Sequence, residues 1–382
     1  MMSGTSLDAI DVVLVSIDDS SIELIANHTH AIPEKLRASI LSICTGQPTT
    51  LLELGEIDHV LGKQYAAAAN DILKRNHLAA EQISAIGNHG QTVFHHPQGD
   101  SPFTIQLGDA HIIAALTGID TVADFRRMDM ALGGQGAPLT PAFHEFVFAS
   151  KPRRSNRVVL NIGGIANITL LPVNGEVIGF DTGPGNLLMD AWCEHHTGNK
   201  YDKNADWASQ GQIHTALLTQ LLSDPFLHKL PPKSTGREHY NKSWLQTQLN
   251  QFANAQPSNT ENLKPVDVQR TLCEFTACSI AEQIEVFREG HNPELLICGG
   301  GVNNPLLFDR IQTHLPHWQV SSTTERGVPA DWVEAMAFAW LARQRVHNLP
   351  SNLPSVTGAK AQASLGVLIS AKTNTSKTNE SR

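Results

Sequence analysis

Short β-branched runs that end in glycine-rich turns constrain the fold of this chain more than any other feature. The run at 158–160 leads into an Asn-Ile-Gly-Gly turn at 161–164, and the run at 295–298 leads into three glycines at 299–301. Apolar residues also recur at helical spacing, as at 273–287. Because strands, glycine turns and helices occur in both halves of the chain, the sequence predicts an α/β fold in which one unit is used twice.

The length favours two domains. The chain has 382 residues, and domains commonly hold roughly 100–200 residues. Glycine and proline at 133–138 indicate a hinge. We expect an N-terminal domain at 1–130 that is completed by 348–370, a C-terminal domain at 131–347, and a disordered tail at 371–382, which lacks large apolar residues.

Composition argues against several classes of function. Hydrophobic residues make up 41% of the chain and charged residues 17%, which provides enough apolar mass for a core. The net charge of −9 argues against a general nucleic-acid binder, since such proteins are usually basic. No membrane-spanning run and no secretory signal is found, so we expect a cytoplasmic protein. The five cysteines form no C-x-x-C pair and no H-E-x-x-H occurs, so neither a disulfide framework nor a zinc site is expected.

The glycine turn nearest the N-terminus, at 4–11, is a candidate for binding the phosphates of a nucleotide. We call it the first glycine turn. Glycine lets backbone N–H groups approach a phosphate closely, and neighbouring hydroxyls add donors. The carboxylates of Asp8 and Asp11 are candidate ligands of a hydrated Mg²⁺. An ordinary hairpin loop uses the same residue types, so this turn alone leaves both interpretations open. The candidates in this turn are Gly4, Thr5, Ser6, Leu7, Asp8, Ala9, Ile10 and Asp11.

The later glycine turns supply the remaining nucleotide-binding candidates. Glycines after a buried strand leave a surface free of side chains, which suits a flat nucleoside, although close helix–strand packing also uses glycine. Asn304 is placed to cap the helix that begins at Pro305. No Walker A pattern and no G-x-G-x-x-G after a strand occurs. Together the turns favour a nucleotide held between two domains, and the candidates are Asn161, Gly163, Gly164, Gly183, Gly185, Gly299, Gly300, Gly301 and Asn304.

Asp181 is the candidate general base. It follows the apolar run at 177–180, which we interpret as a strand ending at Asp181, and it precedes Gly183, Pro184 and Gly185. A carboxylate at the C-terminal end of a strand points into the crevice where α/β folds bind ligands. A turn-forming or helix-capping aspartate is the alternative, and the Gly-Pro-Gly sequence favours the catalytic role.

Two polar clusters and one acidic residue are candidates for contacting substrate. The first cluster holds His89, Gln91 and Thr92, and the second holds Asp124, Arg126 and Asp129. Both carry donors and acceptors that suit sugar hydroxyls or amides. Glu334, the second candidate catalytic residue, lies on an expected helix, where it either contacts the substrate or the catalytic aspartate or faces solvent. The loop at 231–238 carries two cations and either steers phosphate, forms a lid, or is a solvated connector.

Several long strings, in order, resemble the anhydro-N-acetylmuramic acid kinase family. The resemblance implies two RNase H-like domains of the actin, sugar kinase and Hsp70 type with ATP in the cleft between them. It implies ATP- and Mg²⁺-dependent conversion of 1,6-anhydro-N-acetylmuramic acid to N-acetylmuramic acid 6-phosphate in peptidoglycan recycling and amino sugar metabolism, with Asp181 as the base, and a possible homodimer. The matching strings are 2–11, 89–92, Asp124-Phe125-Arg126 with Asp129, 133–139, 161–167, 180–186, 232–238 and 298–301.

The sequence departs from the family at its start. Ala9 stands where the family usually has glycine, and only Met1 precedes the string that a short apolar strand precedes elsewhere in the family. We therefore expect the strand that would pair with 12–17 to be mostly absent. Two other functions remain open: a non-catalytic ATP-binding module of the actin or Hsp70 type, and a kinase of another sugar with the same fold.

Overall fold

The structure is a computed structural model and describes residues 1–4, 7, 9–149, 154–255 and 263–372. The strands are β1 Met2–Ser3, β2 Ala9–Ile17, β3 Ile22–Ala31, β4 Ile86–Gly87, β5 Gln91–His96, β6 Phe103–Leu107, β7 Thr121–Ala123, β8 Arg157–Ile162, β9 Ile165–Leu171, β10 Ile178–Pro184, β11 Glu294–Cys298, β12 Gln319–Ser322 and β13 Val367–Ile369. The α-helices are α1 Glu34–Cys44, α2 Leu51–Arg75, α3 Ala110–Thr117, α4 Arg127–Ala131, α5 Thr140–Phe148, α6 Leu187–Thr197, α7 Thr215–Leu222, α8 Lys242–Ala255, α9 Pro265–Glu285, α10 Pro305–His314, α11 Val333–Val346 and α12 Pro354–Thr357.

The chain divides into two units, each with its own core. Unit 1 comprises 1–143 together with the segment from 334 onward, and unit 2 comprises 144–333. The chain therefore passes from one unit to the other at 143/144 and at 333/334. From the sequence we expected these boundaries at 130/131 and 347/348. The glycine-rich loop at 133–136, which is part of the segment predicted to be a hinge, lies inside unit 1.

Unit 2 is built on a five-stranded sheet in the order β10-β9-β8-β11-β12. Strands β8, β9 and β10 form an antiparallel meander, while β11 runs parallel to β8 and β12 parallel to β11. Helices α6 to α9 lie between β10 and β11 in the chain, and α10 lies between β11 and β12, as parallel crossovers require. This order is that of the expected RNase H-like domain, and the predicted α/β class is confirmed.

Unit 1 repeats the same order through a short first strand. Strands β1, β2 and β3 form an antiparallel meander, and β4, β7 and β13 form a second group in which β4 and β7 are parallel. The two groups are joined by Met1, whose amine donates to Gly87 O at 2.6 Å and whose carbonyl accepts from His89 N at 3.1 Å. The resulting order is β3-β2-β1-β4-β7-β13, and its first five strands match the order in unit 2, so the predicted duplication is present.

Local sequence explains where the long crossover helix of unit 1 begins and which side it buries. Thr50 caps α2 and forms a reciprocal capping box with Glu53. Leu61, Tyr65 and Ile72 recur at helical spacing and are buried in the core of unit 1. In unit 2, α9 buries a corresponding stripe against the sheet.

Several details of the sequence interpretation can now be compared with the structure. Strand β10 does not end at Asp181 but continues to Pro184. The first strand is two residues long and pairs with Asp11 and Ile10 rather than with 12–17. All five cysteines are free thiols, as expected. None of the described helices is long and apolar enough to cross a membrane.

The C-terminal segment differs in part from the expected tail. Ala371 N donates to Asp120 Oδ1 at 2.8 Å, and Lys372 N donates to Ser370 Oγ at 3.3 Å. The remainder of that tail, 373–382, lies outside the described residues.

Candidate active site

Three predicted site segments of unit 2 lie at one edge of its sheet. Strands β8 and β11 are parallel, and β10 is antiparallel to β9 and therefore points the same way as β8. Their C-terminal ends carry Gly163-Gly164, Gly299–Gly301 and the loop after Pro184. Hydrogen bonds tie two of these segments together, from Asn186 N to Gly163 O at 2.8 Å and from Gly185 N to Gly164 O at 2.9 Å.

Some glycines at this edge are required by close packing within the protein. A Cβ on Gly185 would lie 2.4 Å from Gly163 O, and one on Gly301 would lie 2.3 Å from Ile162 Cγ2. Gly299 has a φ of +78°, and its Cβ would lie 2.3 Å from Asn161 Oδ1. For these three positions the packing interpretation of the glycine turn is sufficient.

Other glycines at the same edge could carry a Cβ without a clash. The nearest atom to a Cβ on Gly300 is Asn186 Nδ2 at 4.0 Å, and the nearest to a Cβ on Gly164 is Leu187 Cβ at 3.8 Å. A Cβ on Gly163 would be 3.5 Å from Ile165 O. These glycines provide the surface free of side chains that the sequence led us to expect for a nucleoside.

Asn304 performs the structural role that its position predicts. Its Oδ1 accepts a hydrogen bond from Leu307 N at 3.0 Å, and Pro305 occupies the first turn of α10. This confirms the predicted cap. The side-chain acceptor is thus engaged by α10, which leaves the glycines as the better nucleotide-binding candidates.

Asp181 stands where β10 departs from regular pairing. It pairs with Asn167, and a β-bulge separates it from Gly183, which has a φ of +144°. Such bulges bend a strand and redirect side chains. A Cβ on Gly183 would lie 2.9 Å from Leu227 Cδ2, so this turn requires glycine.

One oxygen of the Asp181 carboxylate is held and the other is not. Oδ2 accepts from the Ser234 hydroxyl at 2.8 Å and from Thr235 N at 2.9 Å. Within the described residues, Oδ1 accepts no hydrogen bond. Burial raises the pKa of Asp181 above its ordinary value, although the hydrogen bonds from Thr235 and Ser234 oppose this. The carboxylate is therefore oriented by the protein and carries an oxygen available to accept a proton.

The loop at 231–238 is attached to Asp181 rather than being a free connector. Ser234 and Thr235 of this loop donate to the Asp181 side chain. The backbone of the loop is also attached, because Asp181 N donates to Lys233 O at 3.2 Å. Lys233 Nζ donates to Phe226 O at 3.2 Å and to Leu227 O at 2.9 Å, and burial lowers the pKa of Lys233 to about 8. Lys233 therefore anchors the loop inside unit 2, which argues against its expected role of steering phosphate.

In unit 1, His89 and Arg126 form a buried pair. Arg126 Nε and Nη2 lie 3.3 and 2.9 Å from His89 Nε2, and Arg126 Nη1 donates to Gly136 O at 2.7 Å. Burial and the Arg126 charge hold the pKa of His89 well below its ordinary value, so the ring is neutral and accepts through Nε2. Glu334 lies in the first turn of α11 and interacts electrostatically with Arg126. Burial lowers the pKa of Arg126, and the negative charge of Glu334 opposes this effect.

Three predicted sugar contacts are engaged within the protein instead. Gln91 Oε1 accepts from Ser3 Oγ at 2.6 Å, and Thr92 Oγ1 accepts from Gln106 Nε2 at 3.1 Å. Asp129 is fully buried, and both of its carboxylate oxygens accept hydrogen bonds from the glycine loop and from the segment near α12. Gln91, Thr92 and Asp129 therefore each make a structural contact within the protein, and their contact with substrate stays a prediction.

Asp124 and Asn88 face a cavity of about 340 Å³ in unit 1. Asp124 has a φ of +57°, and its Oδ2 lies 3.5 Å from Arg127 Nη1. The buried atoms Asp124 Oδ1 and Asn88 Oδ1 have no hydrogen-bond partner among the described residues. Buried acceptors without partners are costly, so these two atoms favour a ligand with hydroxyl or amide donors in this cavity.

The first glycine turn is described only in part, because Thr5, Ser6 and Asp8 lie outside the described residues. Among the described residues, no atom lies within 4 Å of a Cβ built on Gly4. The side chains of Leu7 and Ile10 are buried in the core of unit 1, so a contact of these two residues with phosphate would come from their backbone N–H groups and stays a prediction. Ala9 begins β2, where its extended backbone accommodates the methyl group.

Asp11 is the described member of the expected Mg²⁺ pair. Its Oδ1 accepts from Thr29 Oγ1 at 3.5 Å on the neighbouring strand. Mg²⁺ is usually held by one or two carboxylates, while waters and substrate phosphates complete its octahedral shell. Asp11 would serve as one such ligand, and the Mg²⁺ site stays a prediction.

Asp190, which sequence reasoning missed, lies on α6 one turn after Asn186. Burial raises its pKa to about 7, and the charge of Arg237 opposes this rise. An aspartate within a helical stretch gives no sequence signal for such a shift, because its cause is burial against distant segments.

Comparison with known proteins decides the family. The sequence profile described as "Anhydro-N-acetylmuramic acid kinase" matches residues 1–371. This chain belongs to the anhydro-N-acetylmuramic acid kinase family. The resemblance noted from the motifs, and with it the predicted kinase function, is thereby confirmed.

Curated members of the family match nearly the whole chain. The anhydro-N-acetylmuramic acid kinase of Vibrio vulnificus strain YJ016 is 57% identical over 368 residues, with 96% of each chain covered. That of Vibrio cholerae is 56% identical with the same coverage. A solved activator of 2-hydroxyisocaproyl-CoA dehydratase from Clostridium difficile aligns with 88% of this chain and 98% of its own, at 10% identity and a TM-score of 0.40. It is too distant to add to the family assignment.

Proposed function

We propose that this chain opens the 1,6-anhydro bond of 1,6-anhydro-N-acetylmuramic acid with water and transfers the γ-phosphoryl group of ATP to the released O6. The products are N-acetylmuramic acid 6-phosphate and ADP. Family membership supports the substrate and the use of ATP. The observation that carries the hydrolytic half is the Asp181 carboxylate, with one oxygen held and one oxygen available.

Asp181 is suited to activate the water. A general base needs a fixed position and a pKa raised toward the working pH, and both are found here. Ser234 and Thr235 fix Oδ2, while burial raises the pKa of the carboxyl group. The proton is therefore accepted at Oδ1.

The bond changes balance in one sequence. Water gives a proton to Asp181 Oδ1, and its oxygen forms a bond to C1 of the sugar as the C1–O6 bond breaks. O6 takes the γ-phosphoryl group as the bond from γ-phosphorus to the bridging oxygen of ADP breaks. Phosphoryl transfer depends mainly on positioning and charge stabilisation, and the open surface at Gly163, Gly164 and Gly300 supports a nucleotide-binding role for that sheet edge.

The cavity of unit 1 supports the sugar-binding part of the proposal. Asp124 Oδ1 and Asn88 Oδ1 are buried acceptors whose natural partners are hydroxyl or amide donors. An N-acetylated sugar carries both kinds of donor. His89 and Arg126 hold each other and Gly136, and we propose that they keep the floor of this region rigid.

The test is ADP release from Mg-ATP with and without 1,6-anhydro-N-acetylmuramic acid, with the mass of the sugar product recorded. We expect ADP only when the sugar is present, and a product heavier than the sugar by one water and one phosphoryl group. ATP binding without sugar-dependent turnover would favour the non-catalytic module instead. A product heavier by the phosphoryl group alone, formed from another sugar, would favour the alternative kinase.

A further inference from the structure

His28 and His30 lie on the core-facing side of β3, where the strand pattern calls for apolar residues. Side chains of β3 alternate between half-buried and exposed, and Ile22, Leu24 and Ala26 share the half-buried side with the two histidines. The His28 and His30 side chains are only 12% and 19% exposed. Two consecutive imidazoles on this side need polar partners from the element packed against it.

That element is α2, which supplies Asp71. His30 Nδ1 lies 3.1 Å from Asp71 Oδ2, and His28 Nε2 lies 4.0 Å from the same oxygen. The three potential ligand atoms all lie within 4.8 Å of one another. The Asp71 side chain is 45% exposed, so one side of the group is open to solvent.

The contacts of the two rings are incomplete without a further atom. His30 Nε2 lies 3.4 Å from Gln64 Oε1 while Nδ1 faces Asp71, yet a neutral imidazole has only one N–H. A second proton on His30, a turned Gln64 amide or a cation at Nδ1 would each satisfy this ring. A cation would also use His28, whose Nε2 lies 4.0 Å from the same Asp71 oxygen, beyond hydrogen-bond distance.

We propose that His28, His30 and Asp71 bind one zinc ion that joins the edge strand β3 to α2. Two imidazole nitrogens and one carboxylate oxygen form a set that zinc accepts at about 2.0–2.2 Å, with water as the fourth ligand on the open side. Tetrahedral ligation at those bond lengths puts ligand atoms roughly 3.3 Å apart. The His30–Asp71 pair already has this spacing, and His28 reaches it by a rotation of its side chain. The site is independent of the kinase reaction.

A second group of metal-binding residues in unit 2 is a poorer candidate. Among the described residues, Glu274, Cys278 and His314 also bring three ligand atoms together. Arg310, however, donates to both oxygens of Glu274 at 2.7 and 2.9 Å. A guanidinium already neutralises the carboxylate there, so a divalent cation gains little from it.

Arg75 provides a way to tune the proposed site. It follows Asp71 by one helical turn, its side chain is exposed, and its charge acts on His28. Removal of this cation is expected to tighten zinc binding several-fold, because a nearby positive charge opposes the binding of a second one.

The experiment is calorimetric titration of the chelator-treated full chain with ZnCl₂ alone at neutral pH, with melting temperature measured in parallel. We expect one equivalent to bind and the melting temperature to rise with zinc concentration, because zinc binds the folded state. In the double variant His28→Gln/His30→Gln, the bound equivalent and the rise in melting temperature are lost. The control His59→Gln keeps both, because His59 is an exposed residue of α2 away from the proposed ligands. Co²⁺ in place of zinc should give the visible spectrum of a tetrahedral nitrogen and oxygen site in the wild type and in His59→Gln, and not in the double variant.

Two results would overturn the proposal. One is a wild-type protein that binds no zinc equivalent in this titration. The other is a zinc equivalent that persists in the double variant, whether or not Cys278→Ser removes it. Metal-free melting of every variant is recorded first, so that a folding defect is not mistaken for lost binding. If the double variant fails to fold, Asp71→Asn replaces it, with loss of the equivalent expected and its retention contradictory.

Discussion

Asp181 and Asp129 are both aspartates beside glycine-rich loops, yet the structure uses them differently. Asp181 is half-buried, and two donors hold one of its oxygens while the other has no partner among the described residues. Asp129 is fully buried, with Gly136 N on Oδ2 at 2.8 Å and Asn352 Nδ2 and Thr357 Oγ1 on Oδ1 at 2.8 and 2.7 Å. One carboxylate keeps an oxygen available, as the proposed proton transfer requires, and the other holds a loop to a distant segment.

The difference lies in the number of unfilled acceptor positions, and we use it to distinguish the proposed base from a structural carboxylate. A carboxylate has about four lone-pair directions. Three strong donors and complete burial leave Asp129 no access to a ligand, whereas Asp181 keeps one oxygen available. A substitution of Asp181 should therefore lower the rate of turnover, whereas a substitution of Asp129 should lower the stability of the fold.

The largest effect is expected for Asp181→Asn. Loss of the general base should lower kcat by roughly 10²–10⁴-fold, while the affinity for ATP stays within a few-fold. Melting temperature should stay unchanged or rise, because burial disfavours the charged form at this position. Steady-state kinetics and nucleotide binding measure the two quantities. An equal loss of ATP affinity and of rate would argue against the role of a base.

Asp129→Ala should instead lower the free energy of unfolding. Three buried donors lose their acceptor, and unsatisfied buried donors cost about 1–3 kcal/mol each, so we expect a loss on the order of 3–5 kcal/mol. Urea unfolding measures it, with Asp100→Ala in an exposed loop as the control. A variant with unchanged stability but a raised KM for the sugar would return Asp129 to the ligand-facing role.

The glycine pair Gly299 and Gly300 provides a matched comparison at the edge of the sheet that we propose binds the nucleotide. Gly299→Ala meets Asn161 Oδ1 and a positive φ, so we expect a stability loss of at least about 2 kcal/mol. Gly300→Ala has open space around it and should fold normally while raising the KM for ATP several-fold. Melting curves and ATP titrations separate the two. Unchanged ATP kinetics in Gly300→Ala would remove Gly300 from the nucleotide-binding surface.

The smallest effect is expected for Ser234→Ala, which tests how Asp181 is held. The Ser234 hydroxyl stabilises the ionised carboxylate, so its removal should raise the pKa of Asp181 further. A base must be deprotonated to act, so the acid limb of the kcat/KM profile should move to higher pH. Ser223→Ala, at the end of α7, is the control. A limb that stays in place or moves to lower pH would contradict the assignment.

Much of the fold could be predicted from local pattern. The strands at 158–160 and 295–298, the long helices and the duplicated order follow from hydrophobic periodicity and glycine turns. Asp181 could be singled out because Gly-Pro-Gly follows it. The continuation of β10 to Pro184 could not, because a bulge accommodates glycines that otherwise suggest the end of a strand.

Long-range partners explain the remaining differences. Asp129 resembles a substrate ligand in sequence because its partners Asn352 and Thr357 lie 223 and 228 residues away. Leu7 and Ile10 lie in the segment predicted to bind phosphate, and their side chains are part of the core. His28 and His30 share one side of a strand, a spacing of two that patterns based on helices or cysteine pairs do not include.

The central claim is that Asp181 directs water to C1 of the sugar and that O6 receives the phosphoryl group. A single turnover in water labelled with the heavy oxygen isotope, analysed by fragment mass spectrometry immediately after quenching, tests it most directly. The account predicts one labelled oxygen in the sugar fragment of the product and none in its phosphate or in ADP. Label in the phosphate, with none in the sugar, would show that water attacks phosphorus and would contradict the account.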